Sequence, residues 1–303
     1  VQYIKYKLLG YLRLMRPANI LTAVADILAG VAIAGFAVHP LWGNIDAILQ
    51  ITCICLAAFG LYGGGVVFND VFDADLDSVE RPERPIPSGI VSKTQAIILG
   101  VYLLTIGVLA AFTISQLTGA IAIGIAAAAL IYNKWGKHHS VLGPLNMGLC
   151  RGLNLLMGIS IVNDAVETMG WLAFLPILYI SAITLISRDE VHGGNVGPLR
   201  IAAVCYMIVY AMILGVTYHF HPERIWFVIP IVLLFIFLTN KPLLKAMKAP
   251  TGPNIGASVK GGIIAMIVMD AAWAAGFANT PYAISVIILL PISMYIGKLF
   301  AVT

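Results

Sequence analysis

The sequence predicts an all-α polytopic membrane protein, a series of transmembrane helices joined by short polar loops. Three observations carry that prediction. Of 303 residues, 60% are hydrophobic and only 11% are charged, whereas soluble domains are about a quarter charged. Apolar runs of about 20 residues, the length a helix needs to cross the bilayer core, fill almost the whole chain. They leave no stretch for a separate soluble domain, so residues 1–303 read as one transmembrane domain. The loops also alternate between charge-poor and Lys/Arg-rich sets.

Taken in order, Tyr3 to Arg16 is a basic amphipathic lead-in with Lys5, Lys7, Arg13 and Arg16, not a removable signal. Hydropathy then marks ten candidate spans. They are 17–38, 45–68, 94–115, 119–132, 141–162, 171–187, 199–218, 225–238, 261–277 and 282–297. The four cysteines fall inside apolar runs without zinc-site spacing and read as buried helix residues.

The charge-poor loops are 39–44, 116–118, 163–170, 219–224 and 279–281, while the N-terminus and loops 69–93, 133–140, 188–200 and 240–260 carry most of the Lys and Arg. The positive-inside rule places the second set in the cytoplasm and makes the chain a multi-pass protein of the cell membrane. The net charge of +4 is modest and confined to a few loops, which argues against nucleic-acid binding.

The chemistry gathers in the cytoplasmic set. Asn69, Asp70, Asp73, Asp75 and Asp77 follow the second run directly. If the helix continues past Phe68, Asp70, Asp73 and Asp77 share one face, with Asn69 one step aside and Asp75 elsewhere. Stacked acids repel unless a cation sits between them, and Mg2+ suits hard oxygen ligands shared with phosphate. Arg81, Arg84 and Lys93 follow in a segment stiffened by Pro82, Pro85 and Pro87. Arginine holds phosphate bidentately. Arg84, between prolines beside the acids, reads as functional, and Lys93 as a topology signal.

The second such loop, Ser187 to Asn195, offers Arg188, Asp189, Glu190, His192 and Asn195, with Gly193 and Gly194 allowing a turn. It follows the sixth run as the acid cluster follows the second, a spacing that suggests two related halves. His192 is read as a hydrogen-bonding loop residue. At the end of the fourth run Tyr132, Asn133 and Lys134 leave two readings open: Lys134 reaches a phosphate, or it snorkels to anchor the helix. Arg151 lies inside the fifth run, where a charge is expensive and faces a cavity or an acid. With Asn19, Asp26, Asn146 and Asn154 it predicts a polar chamber open toward the cytoplasm. Asp270, in the ninth run, has no assignment.

These residues resemble the UbiA superfamily of intramembrane prenyltransferases. The resemblance rests on Asn69-Asp70-x-x-Asp73-x-x-x-Asp77 with Arg84-Pro85-Ile86-Pro87-Ser88-Gly89. Arg13-x-x-Arg16-Pro17-x-Asn19, Tyr132-Asn133-Lys134 and Arg151-Gly152 support it. It implies about nine helices around a central cavity, under a cytoplasmic cap of the two motif loops. It also implies an isoprenyl diphosphate held through Mg2+ by both acidic motifs. The family's second motif reads Asp-x-x-x-Asp, which puts Glu190 at its first acid and Gly194 at its last, so one acid is missing.

Together, residues and resemblance imply one scheme. Asn69, Asp70, Asp73, Asp77, Asp189 and Glu190 hold metal. Asn19, Asn69, Arg84, Tyr132, Lys134, Arg151 and Arg188 bind substrate. Asp73, Arg84 and Lys134 serve catalysis by gripping the diphosphate and neutralising it as it leaves. Tyr62, Phe68, Phe72 and Tyr132 offer ring faces to an allylic carbocation. The donor is a geranylgeranyl or longer diphosphate, and the partners are membrane lipids and an acceptor. An aromatic acceptor of quinone biosynthesis is the preferred reading. The alternatives are a glycerol-phosphate lipid, a porphyrinoid, or a different class altogether, a membrane cation or lipid transporter. Transporters hold their acids near the midplane, whereas these cluster at one edge. The Asp-Gly-x-x-Ala-Arg pattern of CDP-alcohol phosphotransferases is absent.

Overall fold

A computed structural model describes residues 2–38, 44–190 and 193–300. Among them every regular element is helical. The lead-in forms α1 (Gln2–Met15) and the first run α2 (Pro17–Ile33), meeting at a 42° bend at Arg16. The second run is α3 (Ile45–Phe72), opened by an Asn44 side-chain cap, and the short α4 (Ala74–Glu80) follows. Next come α5 (Lys93–Phe112), opened by a Ser92/Gln95 capping box, and α6 (Gln116–Lys134), capped by Ser115. The polar fifth run is α7 (Leu142–Ile159), and α8 (Asn163–Met169) leads through a short turn into α9 (Phe174–Ser187). The last part comprises α10 (Gly197–Phe220), α11 (Ile225–Lys248), α12 (Gly252–Phe277), α13 (Thr280–Ile287) and α14 (Leu289–Phe300).

Eight helical segments among the described residues are long and apolar enough to cross a membrane, and nine if the bent α1–α2 pair counts as one span. The hydropathy reading of ten exceeds this by α7. Asn146, Arg151 and Asn154 lower the apolarity of that helix, and neighbouring helices shield it instead of lipid. It packs against α2, α6 and α9. The close contact with α2 depends on paired glycines: a Cβ on Gly30 would lie 2.5 Å from the Leu155 carbonyl oxygen, and one on Gly158 would lie 2.5 Å from that of Ile27. Small residues let membrane helices approach in this way. The most enclosed span is α12, seated against α2, α9, α11 and α13, with Trp273 fully buried. The cysteines are half-buried, not fully buried as their setting predicts, and Cys150 lies on the cavity wall.

Candidate active site

The polar ends of α2, α3, α6 and α9 meet at one end of the bundle. Asn69 and Asp70 occupy the last turn of α3. The helix stops at Phe72 and Asp73 forms its C-cap, so the three acids are divided between the end of α3, its cap and α4. Asp70 and Asp77 both turn inward, with 6% of each side chain exposed. Asp75 turns outward, 96% exposed and 3.8 Å from Lys93.

Each inward acid is met by a cation. Arg16 Nη2 donates to Asp70 Oδ1 at 2.7 Å. Arg84 Nη1 donates to Asp77 Oδ2 at 2.7 Å and lies 3.5 Å from Asp70 Oδ1. Lys137 Nζ binds Asp73 Oδ1. The proline-rich segment folds into successive turns that hold Arg84 over the acids, with Ser88 N donating to Arg84 O at 3.0 Å and Val91 N to Pro85 O at 3.0 Å. Arg16 reaches Asp70 from a left-handed backbone (φ 49°, ψ 64°), and among the described residues no other non-glycine has positive φ. Such a conformation costs on the order of 1–3 kcal/mol and persists only where its surroundings enforce it. Pro17 at the first position of α2 and the ion pair supply that enforcement. Asn69 ties α3 to α6: its Nδ2 donates to Asn133 Oδ1 at 3.1 Å, and Asn133 Nδ2 donates to Gly65 O at 2.7 Å.

Below this cluster lies a cavity of about 580 Å³. Asn69, Asp73, Asp77, Glu80, Arg81, Arg84, Arg16 and Glu190 surround its mouth. Leu61, Val66, Ile125, Ala129 and Met147 supply apolar wall, and Tyr62, Arg151 and Asn154 form its floor. Tyr62 sits eight residues before Asp70 on α3, so floor and mouth lie about 12 Å apart along the helix. An anion at the mouth would meet three arginines, while an alkyl chain below them would be shielded from water.

Of the residues singled out from sequence, Asn69, Asp73, Asp77, Arg84, Tyr132, Arg151 and Glu190 line this cavity, as does the aromatic Tyr62. Asp70 stands behind them, held by Arg16 and Arg84. Asn19, Lys134, Arg188 and Asp189 are not on the cavity wall. Lys134 is exposed and lies 4.5 Å over the Trp135 ring, the snorkelling alternative. Arg188 is exposed, with its Nη1 3.3 Å from His139 O. Phe68 packs on Gly100 and Phe72 is 40% exposed, so neither ring faces the cavity. His192 lies outside the described residues. Sequence reasoning missed Lys137 and the acid-binding role of Arg16. The signals were present, a second lysine in the same short loop and an arginine directly before a helix-starting proline.

The second loop is built on its glycines. Gly193 and Gly194 have φ of 66° and 88°, and Gly194 N donates to Pro250 O at 2.7 Å. Gly194 stands where the family motif has its last acid, in a conformation that L side chains rarely adopt. Asn195 Oδ1 is committed to Gly197 N at 3.0 Å. Of this loop's described acids, Glu190 alone lines the cavity. The mouth thus offers only oxygen donors to a metal: Asn69, Asp73, Asp77 and Glu190. Among the described residues no three acid, imidazole or thiol groups converge closely enough to enclose one, and Asp70, Asp73 and Asp77 are each paired with a basic side chain.

The chain resembles known proteins over most of its length. Residues 23–241 match the UbiA prenyltransferase family. A digeranylgeranylglyceryl phosphate synthase from Methanosarcina mazei is 32% identical over 206 residues, covering 64% of this chain and 71% of that protein. A protein of the same name from Saccharolobus solfataricus is 29% identical over 290 residues, covering 86% and 96%. The structure of a UbiA homologue from Archaeoglobus fulgidus bound to GPP and Mg2+ shares the fold, with TM-score 0.65 at 17% identity over 92% of this chain and 99% of that one. With its apolar spans and its enclosed cavity under an acid–arginine mouth, this chain belongs to the UbiA prenyltransferase family and is a multi-pass membrane prenyltransferase.

Proposed function

We propose that this enzyme transfers a prenyl group from an isoprenyl diphosphate to a hydroxyl of a glycerol-phosphate lipid, with Mg2+ as its metal. The observation that carries the reading is the cavity itself, in which paired acids and arginines surround the mouth of an apolar-walled chamber. The aromatic acceptor preferred from sequence has no support among the relatives. Their name describes a glyceryl phosphate bearing two geranylgeranyl chains, which favours the lipid alternative.

The donor set fits Mg2+, being all oxygen. Asn69, Asp73, Asp77 and Glu190, backed by Asp70, would hold it. When bound, the metal neutralises diphosphate oxygens and so improves the leaving group. The chain's own residues do the rest. An arriving diphosphate competes with the aspartates for Arg16, Arg84 and Lys137, and each cation moved to phosphate frees a carboxylate. Arg84 and Lys137 then stabilise charge that grows as the donor C–O bond breaks. Apolar wall residues keep water from the allylic cation, and the rings of Tyr62 and Tyr132 face it. The acceptor hydroxyl forms the new C–O bond, and its proton leaves with the diphosphate.

The test uses purified enzyme, labelled geranylgeranyl diphosphate, Mg2+ and three acceptors: geranylgeranylglyceryl phosphate, 4-hydroxybenzoate and dihydroxynaphthoate. Product with the glycerol lipid, and loss of diphosphate release in Asp73→Ala, are expected. Transfer to an aromatic acid alone would overturn the acceptor assignment. Cation flux without diphosphate release would instead mean a transporter.

A further inference from the structure

Beneath the cavity floor lies a second ionic cluster that the transfer reaction does not use. Asp26 on α2 and Asp270 on α12 are each 1% exposed, deep inside apolar helices. Arg151 on α7 is 6% exposed. Its Nη1 lies 3.1 Å from Asp26 Oδ2, and its Nη2 donates to Thr22 Oγ1 at 2.5 Å. Asn154 Nδ2 donates to the same Asp26 oxygen at 3.1 Å and to Ala23 O at 2.8 Å. The Tyr62 ring flanks the guanidinium with its centroid 5.4 Å away.

Asp270 has none of this support. Neither of its oxygens meets an N–H or O–H donor among the described residues, and the Asp26 Oδ1 oxygen is likewise without one. α2 and α12 pack together and bring Asp270 beside the equally buried Asp26 carboxyl. The other ionisable groups around the pair are Arg151 and Tyr179, and the Tyr179 hydroxyl is already committed to Gly262 O at 2.8 Å. Were both carboxyls ionised, the single Arg151 guanidinium would balance one and leave one uncompensated negative charge in a membrane interior. Such a charge is strongly unfavourable there. One proton held between the two oxygens removes it, satisfies Asp26 Oδ1 or an Asp270 oxygen, and leaves Asp26 to balance Arg151.

We propose that Asp26 and Asp270 are positioning residues that share one proton, so that Arg151 and Asn154 present an electrically neutral, hydrogen-bonding floor to the uncharged end of the acceptor. The floor then disfavours anions. A phosphate there would compete with Asp26 for Arg151 and approach a second carboxyl. The anionic groups of both substrates therefore belong at the mouth, beside Arg16, Arg81 and Arg84. The acceptor part rests on the glycerol-lipid reading above, whereas the shared proton does not.

Two measurements on the full-length enzyme in lipid nanodiscs test this. The first is infrared spectroscopy without substrate. The wild-type minus Asp270→Asn difference should contain a protonated-carboxyl C=O band, and the wild-type minus Asp75→Asn difference should not. A missing band in the first overturns the shared proton. The second is steady-state kinetics. Asp270→Asn keeps a hydrogen-bonding partner for Asp26 and should leave both KM values within about threefold of wild type. Asp26→Asn strands Arg151 and should raise the acceptor KM by about tenfold or more, with the donor KM unchanged. Equal damage from both variants, or a donor effect as large as the acceptor effect, overturns the positioning role. Should Asp26→Asn fail to fold, Asp26→Asn/Arg151→Gln removes the pair together. It should restore folding while keeping the high acceptor KM, and a normal acceptor KM would sink the proposal. If no glycerol lipid is turned over but the infrared band is present, the acceptor reading fails and the shared proton stands.

Discussion

The enzyme holds two ionic clusters, and they balance charge by different means. At the mouth, Asp70, Asp73 and Asp77 face Arg16, Arg84 and Lys137, three acids to three cations. Below the floor, Asp26 and Asp270 share one Arg151. The mouth is partly open, with 23% of the Arg16 side chain and 15% of the Arg84 side chain exposed, so its ions can exchange partners when a diphosphate arrives. The floor carboxyls, each 1% exposed, are sealed inside the bundle and cannot. An exchangeable balance suits binding and release of a charged ligand, and a sealed one suits holding geometry. The same residue types thus serve opposite ends, separated by about 12 Å of helix.

That contrast can be broken by removing one partner from each cluster. Arg151→Met should destabilise the protein by about 3–5 kcal/mol, the usual effect of orphaning a buried charge. Arg84→Met at the mouth should cost less, about 1–3 kcal/mol, because it leaves Asp77 near an opening that water can reach. Unfolding in mild detergent measures both, and equal losses would mean the two clusters are alike. Activity should show the reverse order. Asp70→Ala and Asp77→Ala should lower kcat/KM by about 100-fold or more with the fold intact, a loss typical of removing transition-state electrostatics.

A finer contrast lies within the loop after α6. Lys137→Ala should lower kcat/KM by about tenfold, and Lys134→Ala by no more than about twofold. The opposite result would return the phosphate role to Lys134. The smallest effect concerns the second loop. Gly194→Ala places a Cβ where φ is 88° and no heavy atom lies within 4 Å. Backbone strain alone should destabilise it by about 1 kcal/mol, and a larger loss would mean that the loop carries more of the mouth than Glu190.

How much could be read from sequence follows from how local each determinant is. The helices are legible because an apolar run declares itself. The acid motif is legible because charges are scarce in this chain. Arg151 is legible for the same reason, a cation inside an apolar run. Lys137 is not, because choosing it over Lys134 requires knowing where α6 ends and which way the following turn points. The role of Arg16 depends on a left-handed residue that composition does not announce. Asp270 found its meaning only through Asp26, far away in sequence and adjacent in the bundle. The break at Asp73 was hidden because the acid spacing fits a continuous helix just as well.

The floor cluster also sets an order of assembly. Asp26 is made before either of its partners, and Arg151 follows it by more than a hundred residues. At a synthesis rate of about 5–20 residues per second, the carboxyl waits some seconds before its cation exists. Asp270 arrives later still, in the ninth run. Until then α2 crosses the bilayer with a carboxyl that is cheapest in its neutral form. Pairing with Arg151 calls for the Gly30–Gly158 contact, and capture of Asp270 calls for α12. The later α7 and α12 thus close on an α2 that was made well before them and stood poised to receive them.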